Sequence, residues 1–396
     1  MKKFMPIALL LTAGFVVPSL SSCGSADLTL FNWGEYISMD ALHRFEKEYG
    51  VKVKLRTFDS NELMLNKLEN SNYDVIIPSD YAVEEMAVKD LIQPIDWNLI
   101  DFDPKTEMVP ALYDALQELA KDHGTEKGFD MLKYSVPYTW GELGILYRTD
   151  KISKEEIERD GWEALRNPTN ADGSKRTAVM YDTARDLYSI ALIANGKSIV
   201  NVSSEDIDLA SNWLLEQKKA FGDNIAYKTE EILDDMPALK YDICFSFSGD
   251  AAYSIANVVD PKTGKHDASL LDFYIPEMVE GGDTRTNIYC DAMVISKNCQ
   301  NVDLAHKFIS FMSQYEAAYE NTLEIGYTSP VKKVYEDVTS SNSEYEEGEG
   351  SFKEIGLAYN LIGGDYNVFY RYDEELKKTL EEKWIVVKNT RNYLLC

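Results

Sequence analysis

Residues 28–58 read LTLFNWGEYISMDALHRFEKEYGVKVKLRTF, and residues 73–78 read YDVIIP. Leu28–Trp33 is an apolar, strand-like run. Met39–Gly50 carries Leu42, Phe45 and Tyr49 at helical spacing and stops at Gly50, a natural helix C-cap. Val51–Phe58 alternates Val51, Val53 and Leu55 with Lys52, Lys54 and Arg56, the pattern of a half-buried strand. Ser60–Glu69 predicts a helix, and Tyr73–Ile77 a buried strand ended by Pro78. A β-α-β-α-β order of this kind predicts a parallel sheet covered by helices.

The same alternation continues downstream. Residues 111–132 are polar and helix-rich, and Val136–Tyr147 is extended and rich in aromatics. Thr177–Tyr181 predicts a strand, followed by a helix capped by Asp182 or Thr183 and running to about Ala194. Helices are predicted over Glu205–Phe221, Gly249–Asn257, Val302–Leu323 and Asp373–Lys388, and strands over Tyr241–Ser246 and Ile288–Ile295. Ser340–Gly350, with Glu344, Glu346, Glu347 and Glu349, predicts a solvated loop. No internal repeat or low-complexity linker interrupts the chain. Its 396 residues suit two or three domains at roughly 100–200 residues each. Two α/β lobes without a flexible linker predict a chain that crosses between them more than once.

Composition removes several function classes. Hydrophobic residues are 45% and charged residues 27%, the balance of a globular protein. The net charge is −27, and a field of that sign repels phosphate backbones, so no nucleic-acid partner is expected. Most of that charge serves solubility, and it is also compatible with a cationic ligand. The four histidines, His43, His123, His266 and His306, show no metal-ligand spacing, and no metal or cofactor is expected. The sequence has no HExxH, Walker A loop, GxGxxG or GxSxG, so no catalytic residue is named. The cysteines are Cys23, Cys244, Cys290, Cys299 and Cys396, with no CxxC. Cys244 and Cys290 lie in separate strand-like runs and could pair in an oxidising compartment; by default all but Cys23 are taken as free thiols.

The N-terminus reads as an address. Lys2 and Lys3 precede an apolar run, Phe4 to Val17, too short to span a bilayer. It ends in Leu20-Ser21-Ser22-Cys23, which resembles a bacterial lipobox. Residues 1–22 are then a lipoprotein signal peptide, Cys23 the lipidated residue, and 23–27 a tether. The membrane is reached through the lipid alone, at a bacterial periplasmic or cell-surface location. Loss of the two lysines leaves a net charge of about −29.

In α/β lobes, ligands bind beyond the carboxyl ends of strands. Those ends carry Asn32-Trp33-Gly34-Glu35-Tyr36, Pro78-Ser79-Asp80-Tyr81, Asp182-Thr183-Ala184-Arg185-Asp186, Phe247-Ser248-Gly249-Asp250, Tyr289-Cys290-Asp291 and Gly326-Tyr327-Thr328-Ser329-Pro330. An aromatic and a carboxylate recur at most of them. Carboxylates bind ammonium groups through charge-assisted hydrogen bonds, and aromatic faces hold cations and methylenes. Taken singly, each aromatic is ordinary packing and each aspartate at a helix start an ordinary N-cap. Their repetition describes a slot for a thin, positively charged chain. Paired carboxylates also serve acid–base chemistry, but no nucleophile accompanies them, and a binder is expected rather than an enzyme.

From Leu28 to about Lys388 the chain resembles the spermidine/putrescine-binding proteins of bacterial polyamine ABC importers, a family of extracellular solute-binding proteins. The resemblance rests on Leu30–Tyr36, Tyr73–Ser79, Val136–Gly141, Ala184–Asp186, Asp291–Ile295 and Ile325–Pro330, in matching order and spacing. It implies an α/β, two-lobe periplasmic-binding-protein (type II) fold, each lobe a mixed sheet flanked by helices, with ligand in the interlobe cleft. Lobe 1 would comprise 28–138 and 291–336, and lobe 2 139–290 and 337–396. Matching positions make Trp33 and Tyr36 a wall of the first lobe, with Glu35 close to an amine. Ser79 and Tyr81 would contribute hydroxyls. Asp186, Asp250 and Asp291 would take ammonium groups, and Phe247, Tyr289 and Tyr327 would add aromatic surface. Thr183 stands where the spermidine-preferring pattern has an acid, Phe247 and Tyr289 replace commoner tryptophans, and Asp250 matches the putrescine-preferring branch. The chain is longer than usual near 111–132, 259–269 and 335–365, expected to be surface loops. The implied partners are a polyamine (putrescine or spermidine) and the permease and ATPase of the importer, with the protein itself a monomer. Another cationic metabolite, or a surface lipoprotein that senses a ligand, are the alternative readings.

Overall fold

The opening run folds as its pattern requires. In the computed structural model, which describes residues 26–68, 71–122, 127–339 and 366–390, the strands are β1 (Leu28–Trp33), β2 (Val53–Phe58), β3 (Val75–Ile76), β4 (Ile92–Gln93), β5 (Ser135–Arg148), β6 (Ala178–Tyr181), β7 (Ile225–Lys228), β8 (Ile243–Phe247), β9 (Leu271–Tyr274), β10 (Thr286–Ser296) and β11 (Asn367–Phe369). β2, β1 and β3 are parallel neighbours. The helix Met39–Tyr49 between β1 and β2 is capped by Ser38, whose side chain accepts from the Ala41 N–H. Gly50 ends it with φ 66°, a left-handed conformation that a Cβ would strain. Leu42 and Phe45 from this helix are buried with Leu28, Leu30 and Phe31. Cys23 and the acidic run 340–350 lie outside the described residues.

The strand order β2-β1-β3-β10-β5-β8-β6-β7 divides at β5. Residues 135–142 of β5 pair antiparallel with β10, while 143–147 pair antiparallel with β8 and 145–148 with β9. β10 in turn pairs antiparallel with β3 and β4 at its C-terminal end and parallel with β11 at its N-terminal end. The parallel set predicted from residues 28–78 is therefore one part of a mixed sheet. A second parallel set, β8-β6-β7, lies on the far side of β5. Two long strands running in opposite senses thus tie two α/β halves together, which is the double crossing that the missing linker predicts.

The long helix expected over Val302–Leu323 is two helices, Val302–Met312 and Tyr315–Ile325. Gln314 between them has extended backbone, φ −74° and ψ 151°. Both helices were apolar-periodic, so the break left no mark in the pattern. It redirects the second helix so that Asn321 Oδ1 accepts from the Ser38 N–H, 2.7 Å away. The segment 259–269 is a largely exposed hairpin turn closed by a Val259–His266 bridge, and the helix Lys332–Thr339 occupies the described start of the third extra segment. Cys244, Cys290 and Cys299 are buried free thiols. Cys244 lies on β8 and Cys290 on β10, and each faces a different stretch of β5.

The C-terminal segment binds the halves a second time. After β11, the helix Glu374–Asn389 packs on the helices Ala184–Ala194 and Ser204–Phe221 of the second half. Just before it, Arg371 grips Glu84 of the first-half helix Asp80–Val88, with Nη2 to Oε1 at 2.7 Å and Nε to Oε2 at 3.0 Å. Lys377 then reaches Glu85 on that same helix at 3.2 Å.

Gly144 marks close packing of β5 against β9. A Cβ there would lie 2.4 Å from the Phe273 ring and 2.8 Å from the Tyr274 carbonyl oxygen. Gly144→Ala is expected to lower stability by about 1–3 kcal/mol, read as a lower midpoint in denaturant unfolding; an unchanged midpoint would show that β9 shifts freely.

Candidate functional site

The site forms where strand ends of both halves meet β5 and β10. β10 carries Tyr289 opposite Gly141 and Asp291 opposite Thr139, and the register shifts between Asp291 and Ala292. Such a bulge re-aims a side chain. Here Asp291 Oδ2 accepts from the Tyr36 hydroxyl at 2.7 Å, and that hydroxyl lies 2.7 Å from Thr139 Oγ1. Ser79, bridged to Asp291, adds a hydroxyl to the same carboxylate. Tyr36 is held by its own loop: Asn32 Nδ2 and the Tyr138 hydroxyl both donate to the Tyr36 carbonyl, at 2.9 and 3.0 Å.

A second carboxylate sits across from the first. Asp250 lies in the first turn of the helix Ser248–Asn257, just past the end of β8. Its Oδ2 accepts from Tyr181 at 2.5 Å and its Oδ1 from Tyr327 at 2.6 Å. Tyr181 ends β6, the parallel neighbour of β8. Tyr327 comes from the other half and stacks edge-on against Tyr36, ring centroids 5.0 Å apart. Phe247 and Tyr289 complete the aromatic wall at 5.2 Å, also edge-on. A Cβ on Gly249 would fall 2.3 Å from the Tyr327 ring, and one on Gly141 2.3 Å from the Tyr289 hydroxyl. Both glycines are required by close approach.

A third group lies beside them. Asp80 Oδ2 accepts from the Cys290 N–H at 2.8 Å and Oδ1 from the Tyr81 N–H at 2.6 Å, pinning the helix Asp80–Val88 to β10. Asn61 Nδ2 donates to the Tyr81 hydroxyl and to Ser79 Oγ. Asp186, in the first turn of the helix that Thr183 caps, is bound by Arg185. The Arg185 guanidinium lies 3.9 Å from the Tyr81 ring centroid, a cation–π contact between the halves.

Nine of the eleven residues that the sequence singled out therefore converge: Tyr36, Ser79, Tyr81, Asp186, Phe247, Asp250, Tyr289, Asp291 and Tyr327. Trp33 and Glu35 stand apart. Trp33 packs on Phe58 at 4.6 Å, with Nε1 buried and without a hydrogen-bond partner. Glu35 is exposed, with φ 50°. Thr139, Tyr181, Asp80 and Arg185 were missed as site residues. Asp80 and Arg185 lay inside strand-end runs that the sequence picked out. Thr139 sits mid-strand, where only register brings it to the site.

Burial governs the electrostatics. Asp250 and Asp291 are both held above the usual carboxylate range, chiefly because burial penalises their charge. Burial likewise pushes the Tyr36 and Tyr327 phenols far up, reinforced by the aspartates they serve. The phenols are thus donors at neutral pH and not bases. Among the described residues no lysine, arginine or histidine forms an ion pair with Asp250 or Asp291. Two buried carboxylates with hydroxyl neighbours and aromatic walls are equipped to bind cationic groups.

A family model described as hypothetical lipoprotein (MG045 family) matches residues 1–309. The chain is 28% identical over 382 residues to the spermidine/putrescine-binding periplasmic protein of Salmonella typhimurium, covering 93% of this chain and 97% of that one. It is 27% identical over 324 residues to a putrescine/cadaverine-binding protein of Pseudomonas aeruginosa, covering 81% and 84%. Among solved structures, the spermidine/putrescine ABC transporter substrate-binding protein of Streptococcus pneumoniae superposes with a TM-score of 0.66 at 25% identity, covering 92% of this chain and 99% of that one. The fold is the two-lobe periplasmic-binding-protein fold.

Asp80 is pushed up to about 7, chiefly by burial. A carboxyl with a raised folded-state value adds stability that is full at low pH and fades as pH rises through that value. The melting temperature is expected to rise as pH falls from about 8 to about 5. Asp80→Asn should flatten that rise; an unchanged slope would exclude Asp80 as its source.

Proposed function

The chain belongs to the lipoprotein family of that description, and we propose that it is the solute-binding lipoprotein of an ABC importer, capturing a polyamine between its lobes. It is a binding protein and not an enzyme. The observation that carries the reading is the pair Asp250 and Asp291: buried, walled by Tyr36, Phe247, Tyr289 and Tyr327, and served by hydroxyls alone. The printed names of the relatives, spermidine/putrescine-binding and putrescine/cadaverine-binding, support the same class.

The mechanism follows from charge and hinge. In this reading lobe 1 is 28–138 with 291–336, lobe 2 is 139–290 with 337–396, and β5 and β10 are the hinge. Opening separates Tyr327 from Asp250 and Tyr81 from Arg185. An amine then enters, and its ammonium groups supply each carboxylate with the charge that hydroxyls cannot. Methylenes between the ammoniums lie on the aromatic faces. Closure is favoured because both walls touch the ligand only when shut. Trp33 and Glu35 line the entrance of the first lobe, where Glu35 attracts an incoming amine. Cys23 carries the lipid that holds the protein at the outer side of a membrane, beside its permease and ATPase, and the protein acts as a monomer.

Calorimetric titration tests this on protein unfolded and refolded to strip bound ligand, with putrescine, cadaverine and spermidine against arginine and a neutral sugar. One-to-one binding of an amine is expected, without turnover. Asp291→Asn and Asp250→Asn should each weaken it by at least about tenfold, because each removes the charge beneath a buried ammonium. Unaltered affinity in both variants, or tighter binding of the sugar, would overturn the reading.

A further inference from the structure

A chain whose net charge is −27 carries one basic edge, far from the cleft. β2 is the outermost strand of the sheet, with a neighbour on one side only. Its register sets Lys54 beside Thr29 and Arg56 beside Phe31, on the face opposite Leu28, Leu30, Val53 and Leu55. Lys67, near the end of the helix Asn61–Leu68, has its ammonium 5.6 Å from the Phe31 ring centroid and so shares that face. Lys52, Lys54, Arg56 and Lys67 are all exposed. Of these four, only Lys52 forms an ion pair among the described residues, with Glu46 at 3.3 Å. Glu48 and Asp59 are the exposed acids that flank β2 in the sequence.

The acids at the start of these strands spend oxygens on backbone N–H groups. Asp27 Oδ2 accepts from Lys52 at 2.8 Å, Glu46 Oε1 from Val53 at 2.9 Å and Asp74 Oδ2 from Thr29 at 2.7 Å. The Asp27 N–H donates in return to the Lys52 carbonyl at 2.9 Å, so Asp27 is tied to the chain that enters β2. Cys23 stands four residues before Asp27. Four residues of fully extended chain cover at most about 14 Å. Whatever holds Cys23 therefore lies within a short reach of Lys52, and Lys54 follows about 7 Å along the strand.

We propose that this basic edge, Lys52, Lys54, Arg56 and Lys67, is the face that lies against the membrane, its cations on the phosphate headgroups of anionic lipids. This rests on the lipoprotein reading above, in which Cys23 carries the lipid, and adds an orientation to it. The net negative charge does not forbid the contact. At physiological salt, charges interact over about 8 Å, so headgroups meet the four nearby cations and not the acids of the far lobe. A lipid and a basic patch are two separate holds. Together they lay the lobe on one side, where a lipid alone leaves it free to turn. Lysines on an edge strand also discourage pairing with another chain. Lys67 lies on a helix, off that edge, and such a guard has no use for it.

Lysine footprinting tests the orientation on the mature lipoprotein with its own lipid. The protein is reconstituted in vesicles of equal parts phosphatidylglycerol and phosphatidylcholine, and separately in phosphatidylcholine alone. An amine-acylating reagent is applied and each lysine is read by mass spectrometry. On the anionic vesicles Lys52, Lys54 and Lys67 are expected to react at least about fivefold more slowly than on the neutral ones, while the exposed Lys262 and Lys265 of the other lobe do not change. Molar salt, which shortens the screening length to about 3 Å, should abolish the difference. Lys54→Glu with Arg56→Glu, both on the exposed face, should restore the labelling of Lys67. Equal labelling on the two vesicles, or protection of Lys52 alone, overturns the orientation while the lipid anchor stands. Protein that sediments with neither vesicle overturns the lipoprotein reading itself.

Discussion

A buried carboxylate without an ion pair is costly, and this molecule keeps two of them, Asp250 and Asp291, at its centre. Desolvating an anion outweighs any one neutral hydrogen bond, so the surroundings of Asp250 and Asp291 must compensate in several ways at once. Each has hydroxyls aimed at it: those of Tyr181 and Tyr327 at Asp250, and those of Tyr36 and Ser79 at Asp291. The bulge in β10 turns Asp291 toward Tyr36, and the helix start after β8 delivers Asp250 to Tyr181 and Tyr327. The glycines at 141 and 249 are there because rings must pass over bare backbone. The local design makes sense as a site that remains incomplete until a cation enters.

The same constraint explains why the halves are tied outside the cleft. Contacts across the site include Tyr327 with Asp250 and Tyr81 with Arg185. In the function proposed above, these are the contacts that binding rearranges. The ties formed by Arg371 with Glu84 and Lys377 with Glu85 lie further along the helix whose first turn holds Asp80 and Tyr81. The C-terminal helix also packs on the helix that begins with Arg185 and Asp186. The clasp and the site therefore share two rigid elements, and any movement of one lobe is felt at both. β5 and β10 run between them, with β10 bulged at Asp291 and Asn367 of β11 on the fully buried Glu142 of β5.

Much of this was legible in the chain, and the reason is local. Apolar spacing marked β1, the helix after it, β2, β5 and β10. A cap marked the helix start at Thr183. Short strands such as β4, β9 and β11 escaped notice because two to four residues carry no periodicity, and pairing alone makes them strands. The break at Gln314 escaped for the opposite reason, since an unbroken apolar pattern runs through it. Nine of the residues named from the sequence come together because strand ends of both halves meet at β5 and β10, and aromatics with acids gather there. Trp33 and Glu35 fitted that pattern and still stand outside the buried network, Trp33 packed on Phe58 and Glu35 exposed.

The sequence by itself determined the kinds of group at the site: acids and aromatics, no nucleophile, no metal-ligand spacing. These are properties of composition and position in strand-end loops, and need no folding to be read. Tertiary structure decided which carboxylate keeps which partner. Asp80, Asp186, Asp250 and Asp291 look alike in a one-dimensional string. Amide N–H groups, a guanidinium and phenols separate them only when β10 lies between β3 and β5 and the two lobes meet. Hydrogen bonds act over about 3 Å, and residues 255 positions apart, such as Tyr36 and Asp291, come within that range through the fold alone.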